Sequence, residues 1–427
     1  MPSLLDDLTW RGLVHQMTDS EAIPERLAAG PVVLYIGFDP TADSLHVGSL
    51  QQLVLLRRFQ EAGHRPIALV GGGTGMIGDP SGKSEERQLL GVEELEANKA
   101  GIAAQMGKFL DIGPGGAILA DNADWLAKAN LLEFLRDVGK LFSVNDMIRK
   151  ESVRARLEGR EQSLSFTEFS YMLLQAWDFL QLYDRSGCEL QLGGSDQWGN
   201  ITEGIDLIRR RRGVQAYGLT SPLVTKADGS KFGKTESGNV WLDPSLTSPY
   251  EFFQFWLRSS DAEAGSYLRR VTFLPRERIE ELDEATATRP ERREAQRELA
   301  FAVTALVHGA DEARRAQQAA AVLFTPEIAT LDPVTLEKAL ADAPTVELTR
   351  QAVEGDLTVL DALLKSGLAE SRNNGRHLLS QGSVYINGAR VAEDRPLAPS
   401  DALHGRWIVL RRGRSKQCVL VVTSGIA

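Results

Sequence analysis

Apolar and polar positions follow two different periods along the first half of this chain. Val32-Val33-Leu34-Tyr35-Ile36-Gly37-Phe38 is a short run of apolar and β-branched residues, the pattern of a buried strand. The turn-rich stretch Asp39-Pro40-Thr41-Ala42-Asp43-Ser44 follows it. From Val47 to Ala62, Leu50, Leu53, Val54, Leu56 and Phe59 recur at helical spacing, and Gly63 predicts the helix end. Pro66 to Val70 reads as a second strand, and Gly71-Gly72-Gly73-Thr74-Gly75 as a loop too rich in glycine for the interior of an element. Ala117 to Leu119 predicts a third strand. Cys188 to Leu192 predicts a fourth, which runs into Gly193-Gly194-Ser195. Strands alternating with helices predict an α/β fold with a parallel sheet, whose ligands sit beyond the carboxyl ends of the strands.

The pattern changes after residue 247. From Ser248 to about Pro344 it is helical, and Glu277 to Ala310 is rich in Glu, Arg, Ala and Leu, with Pro290 dividing two helices. Residues 345–356 mix Pro-flanked Thr with Gly and read as a linker. Residues 357–427 read as a small α+β module: Leu360, Leu363 and Leu364 mark one helix and Ser371 to Leu379 a second, and Val384-Tyr385-Ile386 is a strand ending in the Asn387-Gly388 turn. No internal repeat or low-complexity segment interrupts this order.

Composition adds exclusions. At 43% hydrophobic and 25% charged residues, the chain is an ordinary globular protein rather than a disordered or fibrous one. Cys188 and Cys418 are its two cysteines, far apart, which excludes a zinc ribbon and a disulfide framework. The acidic start, Met1-Pro2-Ser3-Leu4-Leu5-Asp6-Asp7, lacks the pattern of a secretory signal, and no apolar run reaches the ~18 residues of a membrane span. The expected compartment is the cytoplasm. Net charge is −10, yet residues 357–427 hold ten Lys/Arg against five Asp/Glu. A basic tail on an acidic body suggests a polyanionic partner for the tail.

Three constellations carry candidate chemistry. Pro40-Thr41-Ala42-Asp43-Ser44-Leu45-His46-Val47-Gly48-Ser49 joins a strand end to a helix start, where free N–H groups and the helix dipole suit phosphate. By itself such a histidine is more often structural. Lys231-Phe232-Gly233-Lys234-Thr235 is a cationic loop able to follow a departing pyrophosphate, although such turns are commonly solvated surface. Gly193-Gly194-Ser195-Asp196-Gln197-Trp198-Gly199-Asn200 offers backbone access, a carboxylate and amides after a strand; the plainer reading is a tight turn with Asp196 or Asn200 as a helix cap.

Together these motifs resemble a family. His46-Val47-Gly48-Ser49 with Lys231-Phe232-Gly233-Lys234-Thr235 looks like the HIGH and KMSKS signatures of class I aminoacyl-tRNA synthetases. Gly37 to Ala42, Gly193 to Asn200, Lys231 to Ser237, and Phe169 to Phe179 resemble bacterial tyrosyl-tRNA synthetases specifically. The resemblance spans nearly the whole chain. It implies a Rossmann-like catalytic domain over 1–247 with a dimer-interface insertion at about 121–180, a helical anticodon-side domain over 248–344, a linker over 345–356, and an RNA-binding domain over 357–427. That last domain resembles one named after a small-subunit ribosomal protein.

The resemblance also implies roles. Tyr35 and Asp178 would bind a substrate phenol hydroxyl, Asp79, Tyr171 and Gln175 its α-ammonium, and Asp39 would line the same pocket. Gly194 and Asp196 would meet the adenylate ribose, Gln197 the carboxylate, Gly48 the nucleotide, and Thr41 and His46 the ATP phosphates. Lys231, Lys234 and Thr235, with Lys83 and Arg87 of a second loop, would follow the pyrophosphate. Arg372 and Arg376 would contact RNA phosphates. Ser49 and Ile36 depart from the family pattern at ATP-site positions.

The implied reaction is in-line attack of the amino-acid carboxylate on the α-phosphorus of ATP, followed by transfer to tRNA. No protein nucleophile is needed. ATP is a substrate, and Mg²⁺ is expected with it, held by phosphates and waters. A homodimer is implied, with its interface around Asn130 to Val153. Three alternatives compete. A tryptophanyl-type ligase is opposed by Tyr35 and Asp178. A nonenzymatic RNA-binding protein would not need His46, Lys231, Lys234 and Thr235. A small-molecule nucleotidyltransferase would leave the helical domain and the tail without a purpose.

Overall fold

A computed structural model describes residues 3–81, 90–150, 153–154, 157, 164–225, 232–235, 238–341, 343–413 and 416–423. Its first sheet has six strands: β1 Gln16–Met17, β2 Val33–Phe38, β3 Arg65–Val70, β4 Ile118–Asp121, β5 Cys188–Gly194 and β6 Tyr217–Ser221. Their order is β1-β6-β5-β2-β3-β4. Strands β2 to β6 are parallel, and β1 lies antiparallel on the β6 edge. Strands β2, β3 and β5 are largely buried, which is why their sequences are almost continuously apolar.

Strand β6 lies outside the sequence expectation because Tyr217-Gly218-Leu219-Thr220-Ser221 is half polar. Its small residues answer to crowding: a Cβ on Gly218 would lie 2.4 Å from Ile201 Cγ2. Chain order runs from β2 to β3 and β4 on one side, then returns to β5 and β6 on the other. The direction of winding therefore reverses between β2 and β5, and a crevice opens there at the carboxyl ends.

Two long helices border this crevice. The helix Phe166–Ser186 starts with a capping box, in which Ser165 and Glu168 satisfy each other's backbone N–H, and stops at left-handed Gly187. The helix Trp198–Arg212 follows β5 after the 3-10 turn Ser195–Gln197 and stops at Gly213. The expected cap by Asp196 or Asn200 is absent, since Gln197 holds the N-cap position and makes no side-chain cap bond.

The sheet lies in a compact unit formed by Met1–Thr247 and Ser259–Leu299; Ser248–Arg258 and Ala300–Ala427 form a second unit. A single boundary at 247/248 therefore does not describe the chain. The helices Asp261–Val271 and Arg276–Thr288 belong with the sheet because two arginines tie them there. Arg11 donates to the carbonyls of Arg269 and Leu274, Arg58 donates to that of Thr272, and Asp7 binds both guanidinium groups.

A ribbon of β7 Lys234–Thr235 and β8 Gly238–Asn239 completes the first unit's described strands. The second unit carries β9 Thr345–Thr349, β10 Val384–Ile386, β11 Ala389–Val391, β12 Trp407–Arg412 and β13 Lys416–Thr423, in the order β11-β10-β12-β13-β9. Asn387 and Gly388, both at positive φ, turn the β10–β11 hairpin. The stretch 345–356, expected to be a linker, instead contributes β9, paired in parallel with β13, and the short helix Arg350–Glu354. The alternation Val346-Glu347-Leu348 is a strand signal that the neighbouring Pro and Gly obscure.

This sheet is covered on both faces. Ile408, Leu410, Cys418 and Leu420 pack with Val359, Leu363, Leu378 and Leu379 on one side. Trp407, Val409 and Val419 pack with Leu323, Ile328 and Leu336 on the other. Residues 357–427 therefore share a core with the helices that precede them. Among the described residues, no helix is long and apolar enough to cross a membrane.

Candidate active site

Tyr35 and Asp178, the pair that the resemblance assigns to a phenol, are close enough to interact electrostatically. Tyr35 is the third residue of β2, and its hydroxyl is buried with no hydrogen-bond partner among the described residues. Leaving such a group unpaired is unfavourable by ~1–3 kcal/mol. Asp178 lies on the Phe166–Ser186 helix and is 2% exposed. Trp125 Nε1 donates to its Oδ1 at 2.7 Å, and Asn122 Nδ2 to its Oδ2 at 2.9 Å. Burial pushes the Asp178 carboxyl up to about 8 against those two donors, with Asp39 and Asp121 adding to the rise. Burial, then the charge of Asp178, raises the Tyr35 phenol well above its ordinary value.

A chain of hydrogen bonds runs outward from there. Asn122 Nδ2 also donates to Thr74 Oγ1, Thr74 Oγ1 donates to Asp39 Oδ1, and Tyr171 Oη donates to Asp39 Oδ2 at 2.9 Å. The glycines of the loop after β3 make this possible. A Cβ on Gly71 would lie 2.2 Å from Asp39 Oδ1, and one on Gly72 2.3 Å from Asp121 Oδ1. The Tyr171 hydroxyl is held neutral by burial and by Asp39 and Asp79.

At the other end, Gln197 Nε2 donates to Asp79 Oδ2 at 2.7 Å, and the Ser81 N–H donates to Asp79 Oδ1. Gln175, Gln197 and Asn200 bond one another. Asp196 is raised by burial and by Asp79. The described hydrogen-bond partners of Asp79 are neutral donors, so this end of the crevice favours a cation. Tyr171, Gln175 and Asp178 are spaced four and three residues apart on their helix, which puts them on one face of it.

The nucleotide motifs meet at the start of the helix Val47–Glu61. His46 is its N-cap, and its Nδ1 accepts from the Gly48 N–H at 3.0 Å. Nε2 is then the donor edge of the ring. Gly48 must be glycine for this ring position, because a Cβ there would lie 2.6 Å from His46 Cε1. The Val47 N–H donates to the Val240 carbonyl, His46 bridges to Trp241, and a Cβ on Gly233 would lie 2.8 Å from Val47 Cγ2. The glycine of the lysine loop thus packs against the helix start.

Thr41 is exposed after β2, and Gly194 ends β5 beside Asp196. Ile36 is buried in the sheet, and the Ser49 N–H donates to the His46 carbonyl. Lys234 and Thr235 form β7, whereas Lys83, Arg87 and Lys231 lie outside the described residues. In the second unit, Arg372 is paired with Asp361 at 2.5 Å, and Arg376 is exposed on the same helix, Arg372–Ser380. Sequence reasoning passed over Asn122, Trp125 and the role of Thr74. No local signal marks them, since each matters only through a partner distant in sequence.

Comparison with known proteins agrees with this geometry. The family model for "tRNA synthetases class I (W and Y)" matches residues 27–325. That for the "Tyrosine--tRNA ligase SYY-like C-terminal domain" matches residues 335–420. A tyrosine–tRNA ligase of Roseiflexus castenholzii is 52% identical over 418 residues, covering 97% of this chain and 98% of that protein. One of Rhodopirellula baltica is 51% identical over 423 residues, covering 98% and 96%. The crystal structure of a C-terminally truncated mitochondrial tyrosyl-tRNA synthetase of Aspergillus nidulans superposes with a TM-score of 0.68 at 32% identity, covering 76% of this chain and 95% of that one. The buried carboxylate, the capped histidine and the two-part match have one explanation: this chain belongs to the class I tRNA synthetases of the tryptophan and tyrosine group, among the tyrosine–tRNA ligases.

Proposed function

We propose that the crevice beyond β2 and β5 takes L-tyrosine, with its phenol against Tyr35 and Asp178 and its α-ammonium among Asp79, Tyr171 and Gln175. As a tyrosine–tRNA ligase, the enzyme joins the amino acid to AMP and then to the 3′ end of tRNA. The observation that carries the phenol assignment is the buried Tyr35 hydroxyl without a partner, next to a carboxylate already anchored by Trp125 and Asn122. A phenol bound there donates to Asp178 and accepts from Tyr35, which satisfies the orphaned group.

ATP is the second substrate, with Mg²⁺ as its counter-ion held by phosphates and waters. The tyrosine carboxylate oxygen attacks the α-phosphorus, and the bond to the β-phosphate oxygen breaks as pyrophosphate leaves. Thr41, Gly48 and the donor edge of His46 serve the phosphates, Gly194 and Asp196 the ribose, and Gln197 the carboxylate. Lys83, Arg87, Lys231, Lys234 and Thr235 are the groups assigned to the departing pyrophosphate, where charge accumulates. The cytoplasm is the proposed compartment, where tRNA and ATP are found.

Binding selectivity tests the amino-acid assignment. Asp178→Ala should erode the preference for tyrosine over phenylalanine at least about tenfold, the equivalent of one buried partner lost. Gln175→Ala should weaken both amino acids alike. Catalytic efficiencies for ATP–pyrophosphate exchange in both variants read this directly, and a preference unchanged in Asp178→Ala removes that residue from the pocket.

The tRNA is proposed to contact the basic residues 357–427, with Arg376 exposed for phosphate and Arg372 oriented by Asp361. Truncation is a poor test, because β13 is paired with β9 and the sheet's apolar faces are shared with the helices before it. Arg376→Ala should instead weaken tRNA binding and lower the slope of affinity against salt by about one, with pyrophosphate exchange unchanged. Unchanged tRNA affinity would remove this contact.

A second copy of the chain is proposed to cover the apolar surface of the helices Leu131–Asp137 and Val144–Arg149. Leu132 is 76% exposed and, at the start of the next long helix, Phe166 is 79% exposed, with Leu131, Leu135, Val144 and Ile148 exposed beside them in sequence. Leu131→Glu combined with Leu135→Glu should halve the mass seen in sedimentation. An unaltered mass would place the contact elsewhere.

A further inference from the structure

The phenol pocket depends on a group that cannot touch the substrate. Asn122 and Trp125, the two donors to Asp178, both follow Asp121, the last residue of β4. One oxygen of Asp121 accepts the Ala123 N–H at 2.9 Å and so shapes the turn into the short helix Ala123–Leu126 that carries Trp125. The other oxygen is held by Lys99 Nζ at 2.7 Å. Lys99 comes from the helix Val92–Phe109 and also binds Glu96 Oε1 at 2.7 Å; its side chain is 16% exposed. Gly72 makes room for the Asp121 carboxylate, since a Cβ there would lie 2.3 Å from its Oδ1.

We propose that Lys99 is a positioning residue for amino-acid selection: by neutralising and anchoring Asp121, it keeps the Asn122–Trp125 turn aimed at Asp178 and keeps Asp178 available as an anion. This rests on the assignment of Asp178 to the phenol. The argument is one of charge within a confined volume. Asp178 is buried, and the groups that act on it are Tyr35 and Asp39 from β2 and its end, Tyr171 from its own helix and Asp121 from β4; the Cys188 thiol on β5 acts on Tyr35. Asp39 and Asp121 both oppose its ionisation. Lys99 is bonded to the second of them. Arg185 lies over the Trp125 ring, 4.9 Å from its centroid, and acts on the indole rather than on Asp121. Without Lys99, an uncompensated Asp121 repels the Asp178 anion, the acceptor for the substrate hydroxyl is protonated at higher pH, and tyrosine loses its advantage over phenylalanine.

The readout is the ratio of catalytic efficiencies, tyrosine over phenylalanine, in pyrophosphate exchange from about pH 6 to about pH 9.5. Groups that serve both amino acids cancel in this ratio. The ratio should rise with pH as Asp178 ionises. In Lys99→Met the rise should move up by roughly half to one pH unit, lowering the ratio at neutral pH about threefold to tenfold. Lys99→Arg should restore the parent profile. Asp121→Asn, which keeps the oxygen that accepts from Ala123, should move the rise in the opposite direction. The double variant Lys99→Met/Asp121→Asn should recover the ratio lost by Lys99→Met. A Lys99→Met profile superimposable on the parent's overturns the proposal. So does a double variant as impaired as Lys99→Met, which would mean Lys99 acts only through packing. If Asp178→Ala keeps the parent ratio, the phenol assignment itself fails, and the role of Lys99 fails with it; if Asp178→Ala loses the ratio while Lys99→Met keeps it, only the role of Lys99 fails.

Discussion

Burying the Asp178 carboxylate is the constraint on which the rest of the active site depends. A carboxylate out of water is unfavourable unless donors surround it. This fold supplies them from the turn after β4: Trp125 and Asn122 fill one side, and the Tyr35 hydroxyl on β2 has no hydrogen-bond partner among the described residues. The elements that meet there are far apart in sequence, so the parallel sheet must form before the pocket exists. The reversal of winding between β2 and β5 opens the crevice at their carboxyl ends, and the Phe166–Ser186 helix lays Tyr171, Gln175 and Asp178 along it.

The same economy governs the nucleotide end. His46 caps a helix through one ring nitrogen, which fixes the direction of the other. Position 48 donates its N–H to that ring, and only glycine leaves room for the ring there. Gly233 brings the lysine loop against the same helix start. A side chain that looks catalytic in sequence is therefore a structural cap in the fold.

Much of this was legible in the sequence where the signal is local. The apolar runs of β2, β3 and β5, the helix after His46 and the Asn387-Gly388 hairpin follow from periodicity and turn chemistry. What stayed hidden depends on contacts across the fold. Strand β6 is half polar because small residues answer crowding by Ile201, and β9 is a strand because β13 is there to pair with it. The helices 261–288 join the first unit through two buried arginines, Arg11 and Arg58, that no periodicity announces. Trp125 and Asn122 carry no motif; their importance comes from a carboxylate more than fifty residues away.

The central claim is that a phenol completes the hydrogen bonding of Tyr35 and Asp178, and a crystal structure with L-tyrosine bound tests it most directly. The account predicts the substrate's phenolic oxygen within hydrogen-bond distance of both Tyr35 Oη and an Asp178 carboxylate oxygen, with the Trp125 and Asn122 contacts kept and the α-ammonium beside Asp79, Tyr171 and Gln175. A bound tyrosine whose hydroxyl points elsewhere, leaving the Tyr35 hydroxyl still without a partner, would contradict it.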